Sequence, residues 1–188
     1  LLIALKKFLE MASDEKVSEV ISVFKCEKDP DIENFLKEKA IIYERKAKSR
    51  TYLVFDEEAM LAGEFKLLAY FAIAMQTLKI PEGTSHSQIC RLDGLYSRKG
   101  DGLITKIPAF LIGQLGKNDV YTAEIAGDEI MDYALSVIFR AQEIIGGRIV
   151  YIECQDNPKL IEFYSRNGFK IFRQDPDDKL IQMVRLLK

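Results

Sequence analysis

Residues 151–172, YIECQDNPKLIEFYSRNGFKIF, restrict the fold more than any other stretch of this chain. A β-rich run, Arg148 to Glu153, stops just ahead of Asp156-Asn157-Pro158. Asn157 can cap a helix, and Pro158 at its first position loses nothing by lacking an N–H. Leu160, Ile161, Phe163 and Tyr164 then recur at helical spacing. Gly168 supplies the left-handed residue that stops the helix and lets Phe169 begin another strand. A strand, a short one-faced helix and a strand in immediate succession call for helices layered on a sheet.

The rest of the chain fits that frame. Ser13-Asp14-Glu15 offers a cap and an acidic first turn, and Val17, Val20, Ile21 and Phe24 predict a helix over 14–24. Asp29-Pro30-Asp31 restarts the chain, and Ile32, Phe35, Leu36, Ala40 and Tyr43 predict a second helix ending near Lys48. Leu1 to Leu9 suits a first strand or an extra helical turn. Thr51 to Phe55 reads as a strand, Asp56-Glu57-Glu58 as a turn, and Phe65 to Met75 as a long buried strand. Residues 76–105 carry Gly83, Gly94, Gly100 and Asp101-Gly102 without clean periodicity, and read as a loop-rich insertion with one helical turn. Ile107 to Leu115 is a strand. Gly127 precedes a helix through Met131, Ala134, Leu135, Ile138, Ala141 and Ile145, closed by Gly146-Gly147. Lys179 to Leu187 is the last strand. The expectation is one α/β domain over 1–188.

Composition narrows the function classes. The chain has 188 residues, 48% of them hydrophobic and 30% charged, with a formal net charge of −2. That balance fits a folded domain and disfavours nucleic acid as a dedicated partner, because a phosphate-gripping protein usually carries a basic excess. Three dispersed cysteines (Cys26, Cys90, Cys154) and a single histidine, His86, supply no zinc set. Reduced thiols suit a cytoplasmic protein. The run Leu67 to Met75 is too short to span a bilayer, and LLIAL at the start is too short and poorly flanked for a signal peptide. Lys37, Lys39, Arg45, Lys46, Lys48 and Arg50 alternate with Glu38 and Glu44, which predicts a solvated, ion-paired helix face.

The spacing of Asp156-Asn157, Phe163-Tyr164 and Gly168-Phe169 closely resembles the C-terminal signature of the GNAT superfamily, the acetyl-CoA-dependent N-acetyltransferases. The resemblance covers about residues 107–172 well, and the N-terminal half by order of elements. It implies a layered α-β-α fold on a central mixed, mainly antiparallel sheet. It also implies transfer of an acetyl group from acetyl-CoA to a primary amine of a small molecule or protein, by direct attack. Tyr164 would be the general acid that protonates the departing thiolate. A phenol suits that task, since its ordinary pKa of about 10 is close to that of a thiol. Asn157 would lie by the pantetheine arm. On packing grounds alone, a tyrosine on an apolar helix face is most often core.

GQLGKNDVYTAEIAG, Gly113 to Gly127, resembles the family's cofactor strand and phosphate loop. The resemblance places Leu115, Gly116 and Lys117 against the pantetheine. Thr122, Ile125 and Gly127 fall at the loop's three signature positions, with Asp128 next, and only Gly127 matches the pattern. Glu124, Asp128 and Glu129 add negative charge where a pyrophosphate would sit, so the grip expected is from backbone amides at a helix N-terminus. Glu153 and Glu64 are candidate general bases, although each reads more readily as a solvated strand-end charge, as most acids are. Cys154 reads as a small buried thiol and His86 as surface polar. Two alternatives stand beside the enzyme: a non-catalytic binding or regulatory module, and a toxin-type enzyme acetylating the amine of aminoacyl-tRNA. A homodimer through the C-terminal strand is compatible with the sequence.

Overall fold

The computed structural model describes residues 1–95 and 104–187. Strands β1 (Leu2–Ala4), β2 (Arg50–Phe55), β3 (Leu67–Lys79), β4 (Lys106–Lys117), β5 (Ile149–Cys154), β6 (Lys170–Gln174) and β7 (Ile181–Leu186) lie in one sheet in the order β1-β2-β3-β4-β5-β7-β6. Pairs β1/β2, β2/β3, β5/β7 and β6/β7 are antiparallel, and β4/β5 is parallel. The helices are α1 (Leu5–Met11), α2 (Asp14–Ser22), α3 (Pro30–Asn34), α4 (Ala40–Arg45), α5 (Glu57–Leu61), α6 (His86–Asp93), α7 (Gly127–Ile145) and α8 (Pro158–Arg166). The mixed, mainly antiparallel α/β arrangement is the one expected.

By its contacts the chain divides into two compact units: Leu1–Ala74 with Ile112–Ser136, and Met75–Leu111 with Val137–Lys188. In the first, Leu5, Phe8, Val17, Ile21, Phe24 and Leu36 pack against Leu53, Phe55, Leu67 and Tyr70. In the second, Leu78, Ile89, Leu92, Ile107, Ile149, Tyr151 and Val184 form the core. Each fully buried side chain of this size is worth about 1.5–3 kcal/mol of transfer free energy, so the 3.6-residue and two-residue apolar periods suffice to say which faces turn inward.

Several local expectations need correction. Asp56-Glu57-Glu58 starts a helix rather than a turn: Asp56 Oδ1 accepts the Ala59 N–H at 2.8 Å and caps α5. The second helix is not continuous, because Phe35–Lys39 winds as a π-helical turn between α3 and α4. Within 76–105, β3 runs on to Lys79, and α6 is a full helix capped by Ser85 and closed by Gly94 at φ +88°. Residues 96–103, with Gly100 and Asp101-Gly102, lie outside the described residues.

Candidate active site

In the second unit, α8 forms as its sequence demands. Asn157 Oδ1 accepts the Lys159 N–H at 2.9 Å, and Pro158 occupies the first turn. Gly168, at φ +86°, turns the chain so that the Phe169 N–H reaches the Tyr164 carbonyl at 3.0 Å. Phe169 is buried and anchors the turn, whereas no residue of α8 is fully buried. Tyr164 is therefore half-buried rather than core, its ring edge-on to Phe163 at 5.0 Å and Phe169 at 6.0 Å. The helix is held from its two ends, which leaves its amphipathic body to present side chains.

Glu153 is exposed near the end of β5, yet it is not a loose strand-end charge: its Oε1 accepts from Gln182 Nε2 at 2.7 Å. Cys154 beside it is buried. Burial first, and the neighbouring Asp156 second, push its thiol up to about 11, which removes it as a nucleophile. His86 is half-buried, with Nδ1 3.4 Å from Cys90 Sγ one turn along α6.

The first unit carries the cofactor strand and loop. Gly116 is buried, and a methyl group there would stand 2.4 Å from Ile32 Cγ2 and 3.2 Å from Phe24 Cζ, so packing alone requires glycine. Leu115 is half-buried. Lys117 Nζ donates to the carbonyls of Thr122 at 2.7 Å and Ile125 at 3.2 Å, closing the loop from within. Thr122 is exposed, whereas Ile125, where the family pattern has glycine, is buried and plugs the loop. Glu124 is ion-paired with Lys66, which also lies over the Tyr121 ring at 5.1 Å. The hydrogen bond to Glu124 raises the Lys66 pKa. Ile130 makes the first helical hydrogen bond of α7, to Ala126, so the amides of Gly127 and Glu129 have no carbonyl of that helix to bond.

Asn118 escaped the sequence reading. It is fully buried; its Nδ2 donates to the Leu67 carbonyl at 2.8 Å, and its Oδ1 accepts from Lys25 N at 3.1 Å and Val120 N at 3.2 Å. A polar Asn-Asp pair after a strand carries no local signal of the remote Leu67 and Lys25 partners. The basic face is ion-paired as expected, with Lys37–Glu33 at 2.6 Å, Arg45–Asp14 at 2.5 Å and Arg50–Glu44 at 2.7 Å, but Glu44 is buried rather than solvated and also accepts from the Thr51 N–H at 2.9 Å. A cleft of about 340 Å³ beside it is lined by Lys6, Leu9, Glu10, Glu44, Arg45 and Arg50, none of them a residue singled out for catalysis or cofactor binding. Among the described residues no three His, Cys, Asp or Glu gather as a metal site, and no helix is long and apolar enough to cross a membrane.

The fold is that of the GNAT acetyltransferases. Among solved structures, the chain is similar to AtaT complexed with acetyl-methionyl-tRNAfMet, at 17% identity over 86% of this chain and 85% of that one, with a TM-score of 0.64. It is similar to AtaTR bound with acetyl-CoA, at 17% identity over 86% and 84%, with a TM-score of 0.65. It is also similar to a tyrosine-to-phenylalanine mutant of KacT, at 19% identity over 96% and 93%, with a TM-score of 0.62. At such identities the likeness is one of fold. No family model matches the sequence, and no curated protein does. The expectation against nucleic acid finds no support here, since AtaT is seen with an acetylated aminoacyl-tRNA.

Proposed function

We propose that this protein is an acetyl-CoA-dependent N-acetyltransferase acting on a primary amine, and that the amine belongs to an aminoacyl-tRNA. The α8 unit carries the first part of the reading: a helix capped by Asn157 and turned by Gly168 presents Tyr164 half-buried instead of burying it as core. The likeness to AtaT with acetyl-methionyl-tRNAfMet favours the acceptor class over a small-molecule or protein amine.

The residues present fit the thioester. The Lys66 pairing keeps the Glu124 charge engaged, Lys117 holds the loop closed, and the α7 amides offer an anion site that needs no arginine. Leu115, Gly116 and Lys117 would hold the pantetheine by their backbone. Thr122, Ile125, Gly127 and Asp128 would hold the pyrophosphate. When bound, acetyl-CoA supplies an activated acyl carbon. The amine nitrogen attacks that carbon and the C–S bond breaks. Tyr164 gives its phenolic proton to the departing sulfur, and Glu153, or water in its place, takes the proton that the amine loses. Backbone N–H groups of β4 polarise the carbonyl. Lys39 and Lys46, which are exposed and make no ion pair among the described residues, suit a phosphate-bearing acceptor. Both substrates and the reduced thiols suit the cytoplasm.

The test pairs two measurements. Purified protein is given acetyl-CoA with methionyl-tRNA or with a lysine-containing peptide, and N-acetylated product is read by mass spectrometry. Tyr164→Phe is expected to keep its fold and lose about 100-fold or more in turnover; wild-type turnover in that variant removes the role. Acetylated peptide without acetylated tRNA overturns the acceptor class. Absence of binding heat with acetyl-CoA sinks the enzyme reading in favour of a non-catalytic module.

A further inference from the structure

Three side chains from three strands of the second unit form one polar row. Gln182 on β7 is in register with Glu153 on β5 and with Arg173 on β6. Arg173 Nε donates to Gln182 Oε1 at 2.5 Å, Gln182 Nε2 donates to Glu153 Oε1 at 2.7 Å, and Arg173 Nη2 donates to Asp175 at 2.9 Å. Gln182 is buried, at 6% exposure.

The row exists because β6 is irregular. Lys170 pairs with Val184 and Ile171 with Met183, so a regular ladder would set Phe172 opposite Gln182. A shift between Ile171 and Arg173 skips Phe172 and brings Arg173 to that position instead. Side chains alternate between faces along a strand, so this one-residue slip turns the guanidinium onto the face it would otherwise leave. The hydrogen-bond polarity is then dictated. A guanidinium can only donate, so it claims the amide oxygen of Gln182, and the amide NH2 can be offered only outward, to an acceptor. Glu153 is that acceptor.

We infer that Gln182 and Arg173 are positioning residues for Glu153, a buried relay that holds its carboxylate by one oxygen and leaves the other to take the proton from the acceptor amine. The inference rests on the acetyl-transfer reading above. It separates Glu153 from the many exposed acids of the chain by a feature that costs stability to build: a buried amide between a cation and an anion.

A double-mutant cycle tests it with acetyl-CoA and methionyl-tRNA. Gln182→Met is expected to lower kcat about tenfold with KM for acetyl-CoA little changed, and to have no further effect in a Glu153→Gln background. Gln182→Glu, which keeps an acceptor for Arg173 but takes the donor from Glu153, is expected to match Gln182→Met. Independently of turnover, the side-chain NH2 signals of Gln182 in nitrogen-edited NMR spectra are expected to shift in both Arg173→Met and Glu153→Ala. Wild-type kcat in Gln182→Met, or an equal loss with and without Glu153, overturns the positioning role while leaving acetyl transfer standing. Unmoved Gln182 signals overturn the relay itself. A wild-type protein that binds acetyl-CoA but transfers nothing overturns the acetyl-transfer reading and this role together.

Discussion

Lys117 donates its ammonium to the carbonyl of Thr122, 2.7 Å away, and so ties the end of β4 to the loop that precedes α7. The second carbonyl it reaches, that of Ile125, belongs to a buried residue. Lysine thus supplies by cross-linking the loop shape that glycines would otherwise permit. Lys117→Met should leave the fold intact, because the side chain is only half-buried, and should weaken acetyl-CoA binding about five- to tenfold. Isothermal titration checks this; an unchanged Kd would show that the loop holds its shape without the tie.

The Lys66–Glu124 pair makes a separate prediction. Removing Lys66 releases an acidic side chain three residues ahead of α7, whose first amides are proposed to hold the pyrophosphate. Lys66→Met should weaken binding of acetyl-CoA, and adding Glu124→Gln should restore most of the loss. The recovery should shrink in high salt, since the repulsion is screened. Equal binding by the single and double variants would mean that Glu124 never faces the ligand.

Asn118 is a test of stability rather than of binding. Replacing it with Ala takes the side-chain partner from the buried Leu67 carbonyl and from the Lys25 and Val120 amides. A loss of about 2 kcal/mol in urea unfolding is expected, the scale of one unsatisfied buried group with part-buried bonds lost beside it. A loss under about 1 kcal/mol would show that water replaces the amide.

Acid should loosen the segment after α2. Glu33 accepts from Lys37 at 2.6 Å, from the Cys26 N–H at 2.9 Å and from Lys25 at 3.3 Å. The Lys37 bond above all, then the Cys26 amide, holds its carboxyl at about 2, below the ordinary 4.5. The tie therefore stabilises the fold fully above pH 4.5 and is lost as pH falls toward 2. Thermal unfolding followed against pH should show Glu33→Gln losing part of the wild-type acid dependence in that window. An identical acid profile in the two proteins would contradict the assignment.

Thiol labelling should follow burial. Cys154, pushed up to about 11, and Cys26, raised chiefly by burial, should resist iodoacetamide at pH 8, while half-exposed Cys90 labels first. Peptide mapping by mass spectrometry reads the order, and Cys154 labelling as fast as Cys90 would refute it.

Several motifs that depend on partners within about four residues could be read directly. Ser13, Asn157-Pro158, Gly146-Gly147 and Gly168 each end or begin a helix at or near the residue expected, because caps and left-handed turns are local chemistry. Misreadings arose where local signals compete. Asp56-Glu57-Glu58 suits a turn and a helix start equally, and only the Asp56–Ala59 hydrogen bond separates them. The glycines around α6 masked a helix whose Ile89 and Leu92 face the second core.

Sequence alone determined the α/β class, the α8 unit with Tyr164 on it, and the divergence of the loop from its family pattern. Tertiary structure alone decided how that divergence is accommodated and which acid is held. Asn118 meets Lys25 across 93 residues, and Gln182 meets Glu153 across 29. The bulge that turns Arg173 toward Gln182 is a matter of register between two strands. Such pairings carry no local signal, because they depend on which strands lie side by side and in what register. That choice is made by burial summed over the whole chain.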